Sequence, residues 1–174
     1  KNTIFTLEIG YKMANYKLQI DDFEEIEYSL IAIHSTLEDY RLAYFINQKL
    51  HVNLNKYIKE IQVTDKEGEA HFSRFHYYEK KKEISWDLIQ NKTEVIQQQK
   101  EENQSLFSNV NLEVATKVYM LPEFKKVDYF LKIENSEENL NLLKIQNELN
   151  TIDNIATVYI VDTNKIKSKN NLIF

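Results

Sequence analysis

No cysteine occurs among the 174 residues, and there are only one proline and two glycines. Without cysteine the chain can form no disulfide, no thiolate nucleophile and no cysteine-ligated zinc or iron–sulfur site. Gly10 and Gly68 stand far apart, so no glycine-rich loop can bring successive backbone amides onto a phosphate. That excludes a P-loop and a dinucleotide fingerprint. A basic excess is missing too: 22 Lys and Arg face 27 Asp and Glu, a formal net charge of -5. Nucleic-acid binders normally carry the opposite balance, so a nucleic-acid partner is not expected. No apolar run approaches the roughly 20 residues that span a bilayer. Residues 1–12 alternate polar and apolar positions and contain no continuous apolar core of a signal peptide. The expectation is a cytoplasmic protein without a membrane segment. What remains is a globular composition, 43% hydrophobic and 12% aromatic, sufficient for one packed domain.

Periodicity outlines the elements. Tyr16–Ile20 alternates with period two and predicts a short strand, followed by an acidic turn at 21–25. Tyr28–Ile33 is an apolar run of strand length. Ser35-Thr36-Leu37-Glu38 has capping-box spacing and introduces a helix to Leu50 with a broad apolar surface. Lys56–Val63 reads as a strand with a polar turn to Gly68. Residues 71–78 and 84–89 form a predicted hairpin around the charged turn 79–83. A mobile loop is expected around 97–111, with the apolar pair Leu106 and Phe107 inside it. Strands 116–120 and 127–133, a helix opened by Ser136-Glu137-Glu138 and a strand 155–161 complete the chain. In that helix Leu140, Leu143, Ile145 and Leu149 should share one face. The fold class expected is α+β, a mostly antiparallel sheet of about six to eight strands on two main helices. The repeat of strand, capped helix and strand suggests duplicated β-α-β halves of ferredoxin-like or ACT-like type, or a profilin- or roadblock-like sandwich.

The single proline sits in Leu121-Pro122-Glu123-Phe124-Lys125-Lys126-Val127-Asp128-Tyr129. This stretch resembles the motif of the IPExxxVDY family, small bacterial proteins of the Bacteroidetes. Pro122, Glu123, Val127, Asp128 and Tyr129 fall at the motif's spacing, and Leu121 replaces its isoleucine. The resemblance extends through Ile33-His34-Ser35 and Leu37–Tyr44 to the apolar ending Leu172-Ile173-Phe174. It begins at Met13, so residues 1–12 are read as an N-terminal extension of upstream or non-native origin, and 13–174 as one domain. The family has no established activity, and the resemblance implies none.

Candidate sites remain modest. Proline restricts its neighbours and donates no ladder hydrogen bond, so Pro122 marks a turn or bulge. Glu123, Asp128 and Tyr129 either present a binding surface there or, as turn carboxylates commonly do, accept backbone amides. His34, Asp39 and Arg41 gather at the first strand–helix junction, where free helix amides favour ligand contacts. His34, His51, His71 and His76 lack metal-ligand spacing, and no metal or cofactor is expected. Lys165, Lys167 and Lys169 would share a face if that segment were a strand. Leu172, Ile173 and Phe174 would serve as an interaction tail or dock onto the core. With no catalytic constellation visible, the reading is a non-enzymatic protein-interaction or adaptor domain that binds a protein partner or itself. The alternative is a regulatory small-molecule domain with ligand near His34, Asp39 and Arg41, and a weaker one is an RNA- or ribosome-associated factor.

Overall fold

The computed structural model describes residues 28–66, 68–99, 112–134 and 140–174. The predicted strand at 16–20, the turn after it, the extension 1–12 and the pair Leu106 and Phe107 lie outside these residues.

The elements run β1 (Tyr28–Ser35), α1 (Asp39–Leu50), β2 (Asn55–Lys56), β3 (Ile61–Asp65), β4 (Gly68–Phe72), β5 (Arg74–Glu79), β6 (Ile84–Gln90), β7 (Lys92–Gln99), β8 (Leu112–Tyr119), β9 (Tyr129–Glu134), α2 (Leu142–Leu149) and β10 (Ile155–Ile160). The fold is α+β. Six strands form one antiparallel sheet in the order β10-β1-β9-β6-β5-β2, while β3-β4 and β7-β8 are separate hairpins. Strands β9 and β10 both pair antiparallel with β1 and flank it, so β9-α2-β10 is a β-α-β unit split by β1. Likewise β9 lies between β1 and β6, so β1-α1 and β6 form a second split unit with β2–β5 inserted. Interlocked split β-α-β units are the ferredoxin-like arrangement.

Alternation along each strand separates two cores. Ile31, Ile33, Leu88, Leu131 and Ile133 face the helices, where they meet Leu42, Ala43 and Ile46 of α1 and Ile145 and Leu149 of α2. Leu30, Ala32, Ile89 and Phe130 face the hairpin side, against Phe72, Val118, Met120 and Leu172. Both faces of the sheet are therefore covered, which is why β1 and β6 read as near-continuous apolar runs rather than half-polar ones. Each fully buried Leu or Ile contributes about 1.5–3 kcal/mol relative to exposure.

Several local expectations change. Ser35 does not open a capping box, because it still belongs to β1. Its hydroxyl donates to Asn154 O and accepts Leu37 N–H, and Glu38 takes the N-cap position without a side-chain cap. The strand expected over 71–78 divides at buried Ser73: β4 turns back to pair with β3, and β5 joins the main sheet. His71 and His76 therefore stand on different strands. Gln97–Gln99 is not loop; its backbone continues β7 and pairs with 112–114 of β8. Leu143 points outward, 65% exposed, leaving Ile145 and Leu149 as the buried residues of α2. The lysine-rich 165–169 segment is no strand but lies across two short 3₁₀ turns, Thr163–Lys165 and Lys169–Leu172. Its alternating lysines thus do not align on a strand face.

Among the described residues strand β10 ends the sheet, and it carries no charge, a composition prone to edge-to-edge pairing. Helix α2 blocks it. Gln146 Nε2 donates to Val158 O at 3.0 Å, and Val158 N–H donates to Asn150 Oδ1 at 3.0 Å, so two side chains imitate the missing strand. The opposite edge, β2, is two residues long. Replacing Asn150→Ala leaves the buried Val158 N–H without its acceptor and is expected to cost about 1–2 kcal/mol. Urea unfolding measures the loss, and an unchanged midpoint would contradict the edge-capping role.

Candidate functional site

The strand–helix junction after β1 forms one wall of an open cleft of about 440 Å³. Thr36, Glu38 and Asp39 approach it from this junction, Gln90 and Lys92 from the β6–β7 connection, and Asp128 and Tyr129 from the start of β9. The pairing of β9 between β1 and β6 brings these three segments together.

The Pro122 segment leads into the cleft, which only its last two residues, Asp128 and Tyr129, line. Pro122 opens a 3₁₀ turn, Pro122–Phe124, with exposed proline at the position whose missing N–H is harmless. Leu121 and Val127 are buried, and Phe124 packs edge-on to Phe130 with ring centroids 5.9 Å apart. Asn91, fully buried, holds the turn from inside. Its Nδ2 donates to Phe124 O at 2.9 Å and Val127 O at 3.0 Å, and its Oδ1 accepts Leu121 N–H at 2.9 Å. Its main chain donates to Asp128 O and accepts from Met120, both at 2.9 Å. Nothing in the sequence pattern singles out Asn91. It lies just past an apolar strand, and only the pairing of β6 with β9 brings it opposite residues 121–128.

The two carboxylates expected to act at this motif go to different places. Glu123 accepts Lys167 N–H at 2.7 Å, Ser168 N–H at 3.0 Å and the Ser168 hydroxyl at 3.2 Å, tying the last segment to the turn. Burial alone would raise its pKa, but these donors outweigh it and hold the carboxyl below its ordinary 4.5. Asp128 accepts Ser35 N–H at 3.0 Å and pairs with Lys92 Nζ at 2.5 Å, stitching β1 to β9 at the cleft. Buried Tyr129 donates its hydroxyl to Leu37 O at 2.8 Å. Burial, then the charges of Asp39, Asp128 and Glu38, push that phenol up to about 12. It remains a neutral donor and cannot serve as a base near neutral pH.

Asp39 lies at the cleft, but His34 and Arg41 do not line it. His34 stacks on Tyr159 of β10, ring centroids 5.8 Å apart, and Arg41 is exposed on α1. Two residues apart on a helix point in different directions, so Asp39 and Arg41 separate. Asp39 instead accepts the Ser73 hydroxyl at 2.5 Å and Tyr40 N–H at 2.7 Å, with Lys56 Nζ at 3.4 Å. Burial works against ionisation here, but Ser73, Tyr40 and Lys56 together lower the pKa below 3.8. Chemically the cleft offers carboxylates, one amine and a neutral phenol. Polar groups can be held there by hydrogen bonds, whereas no lining histidine stands beside a nucleophile. Among the described residues no group of three or more His, Asp or Glu side chains is placed to hold a metal ion. No helix among them is long and apolar enough to cross a membrane.

The apolar ending divides as well. Leu172 is buried in the hairpin-side core, while Ile173 and Phe174 are 73% and 43% exposed. Comparison with family models, with curated proteins and with solved structures found no match.

Replacing Asn91→Ala strands one amide donor and two carbonyl acceptors in the interior, and is expected to cost about 3 kcal/mol or more. Chemical denaturation against the parent chain checks this, and a loss under about 1 kcal/mol would contradict the role. Because the folded-state pKa of Glu123 lies below its unfolded value, its contribution is present above about pH 4.5 and lost as pH falls through the folded value. In Glu123→Gln that part of the acid-side stability loss should disappear from unfolding midpoints recorded across this range.

Proposed function

We propose that the chain is a non-enzymatic, cytoplasmic protein-interaction domain of the IPExxxVDY type, and that its recognition surface is the outer face of α1. The observation that carries this reading is the pair Tyr40 and Tyr44, one turn apart and 59% and 57% exposed, on the side of the helix away from Leu42 and Ile46. Aromatic residues are enriched in interface cores relative to the rest of a protein surface. Arg41 lies beside this pair, roughly 60° round the helix from Tyr44, and enters no ion pair among the described residues, whereas Lys49 stands on the side towards α2. A face that joins two aromatic rings to an unpaired guanidinium suits a partner presenting apolar and acidic groups. Two copies meeting through this face would bring like charges together, so a different protein is the better fit. Sheet-edge addition is disfavoured because β10 is capped by α2 and β2 is short.

Kinship with the IPExxxVDY proteins is supported by the distinct structural work of Leu121, Glu123, Val127, Asp128 and Tyr129. A second reading, small-molecule binding, draws on the cleft at Asp39, Lys92 and Asp128. Its volume lies within the range of ligand sites, although its lining is more polar than is usual for them. Against an RNA role stand the acidic balance and the absence of a lysine-lined strand at 165–169.

The test compares the parent chain with the folded double variant Tyr40→Ala/Tyr44→Ala by affinity capture from the host of origin. A stoichiometric partner that binds the purified parent chain should lose at least about tenfold in affinity against the variant. Equal binding by both would overturn the α1 surface. Loss instead in Asp128→Asn, or a metabolite-induced rise in melting temperature, would favour the cleft.

A further inference from the structure

The hairpin-side face of the sheet carries a charged row unlike the apolar remainder of that core. His76, Asp87 and Lys132 stand opposite one another on β5, β6 and β9, with Asp87 and Lys132 buried. Arg74 Nε donates to Asp87 Oδ1 at 2.7 Å, and Lys132 pairs with Glu134. Buried ion pairs seldom add stability over apolar residues of the same volume, so their presence calls for another role.

Leu172 and Phe174 of the last segment lie against this row. Lys132 Nζ donates to Leu172 O, and its ammonium lies 4.6 Å from the Phe174 ring centroid. The Arg74 guanidinium lies 4.2 Å from the same centroid and 4.7 Å from that of Tyr57. One phenyl ring is thus shared by two cations, while Leu172 fills an apolar hole two residues earlier. The segment joins no strand ladder. Three contacts to Glu123, one bond from Asn171 to Met120 O and one from Lys132 hold it. Segments with few buried side chains and no ladder open at much lower free energy than core strands.

We infer that the groove between Arg74 and Lys132 is a binding site for a Leu-x-Phe segment of a partner protein, and that residues 172–174 occupy it as an internal competitor. Leucine supplies the buried anchor, the backbone carbonyl meets Lys132, and the aromatic ring meets the two cations. The groove lies on the opposite side of the sheet from α1, so this inference stands or falls independently of the tyrosine surface.

The experiment uses the full chain carrying Leu172→Ala and Phe174→Ala, with a dye-labelled peptide of sequence Lys-Ser-Lys-Asn-Asn-Leu-Ile-Phe as probe in fluorescence anisotropy. Saturable binding to this variant is expected, at least about tenfold weaker to the parent chain, whose own segment competes. Adding Lys132→Met should weaken binding by roughly three- to tenfold. A folded variant that fails to bind, or equal binding to parent and variant, overturns the inference. A parent dimer that dissociates when Phe174 is replaced overturns the partner in favour of exchange between copies. Should the double variant not fold, hydrogen exchange on the parent decides. Amides of 171–174 exchanging about a hundredfold faster than those of β1 and β9 support a detachable segment, and exchange in step with those strands overturns it.

Discussion

Buried Asn91 joins the end of β6, the Pro122 turn and the start of β9 through three side-chain and two main-chain hydrogen bonds. In a low-dielectric interior those bonds are strong, and each unmade one would be expensive, so the turn has a single arrangement. Asp128 and Tyr129 are placed by that arrangement. Asp128 reaches Ser35 N–H and Tyr129 reaches Leu37 O only because the turn delivers them to β1 at the correct height. The cleft, the entry into α1 and the docking of residues 167–168 onto Glu123 all follow.

The covered sheet explains the division of labour between surfaces. Helices occupy one face, hairpins and the last segment the other, and α2 side chains cap one edge. Recognition is left to side chains that point away from these layers. Tyr40 and Tyr44 qualify because a helix lying on a sheet can bury only one stripe, and α1 is apolar over more than one. The polar row under Phe174 has a different character, since its charges are enclosed and matched rather than displayed.

Fold class was legible because strand alternation and helix periodicity are local signals. The apolar run at β1, the wide apolar surface of α1 and the strand at β10 all carry them plainly. Hairpin partners were harder to read. Residues 71–78 look like one strand because alternation does not reveal that Ser73 turns the chain between two sheets. The 165–169 lysines alternate as a strand would, yet tertiary bonds from Glu123 to Lys167 and Ser168 impose turns instead. The candidate site was half visible. Asp39, Asp128 and Tyr129 converge at the cleft, while His34 was drawn into that group by sequence proximity alone and lies stacked on Tyr159. Gln90, Asn91 and Lys92 escaped notice because their role depends on β6 lying beside β9, which no local pattern encodes.

Strand β1 has a further consequence for how the molecule is made. It is the first described strand in the chain, yet its two neighbours are β9 and β10, so Ile31 faces Leu131 on one side and Ile160 on the other. During synthesis this apolar strand leaves the ribosome long before either neighbour exists. Until β9 emerges, Leu30, Ile31, Ala32 and Ile33 have no native ladder to join among the described strands, and such contacts of large sequence separation form slowly. Helix α1, next in the chain, is the first described element that can cover one face of this strand, at Ile31 and Ile33.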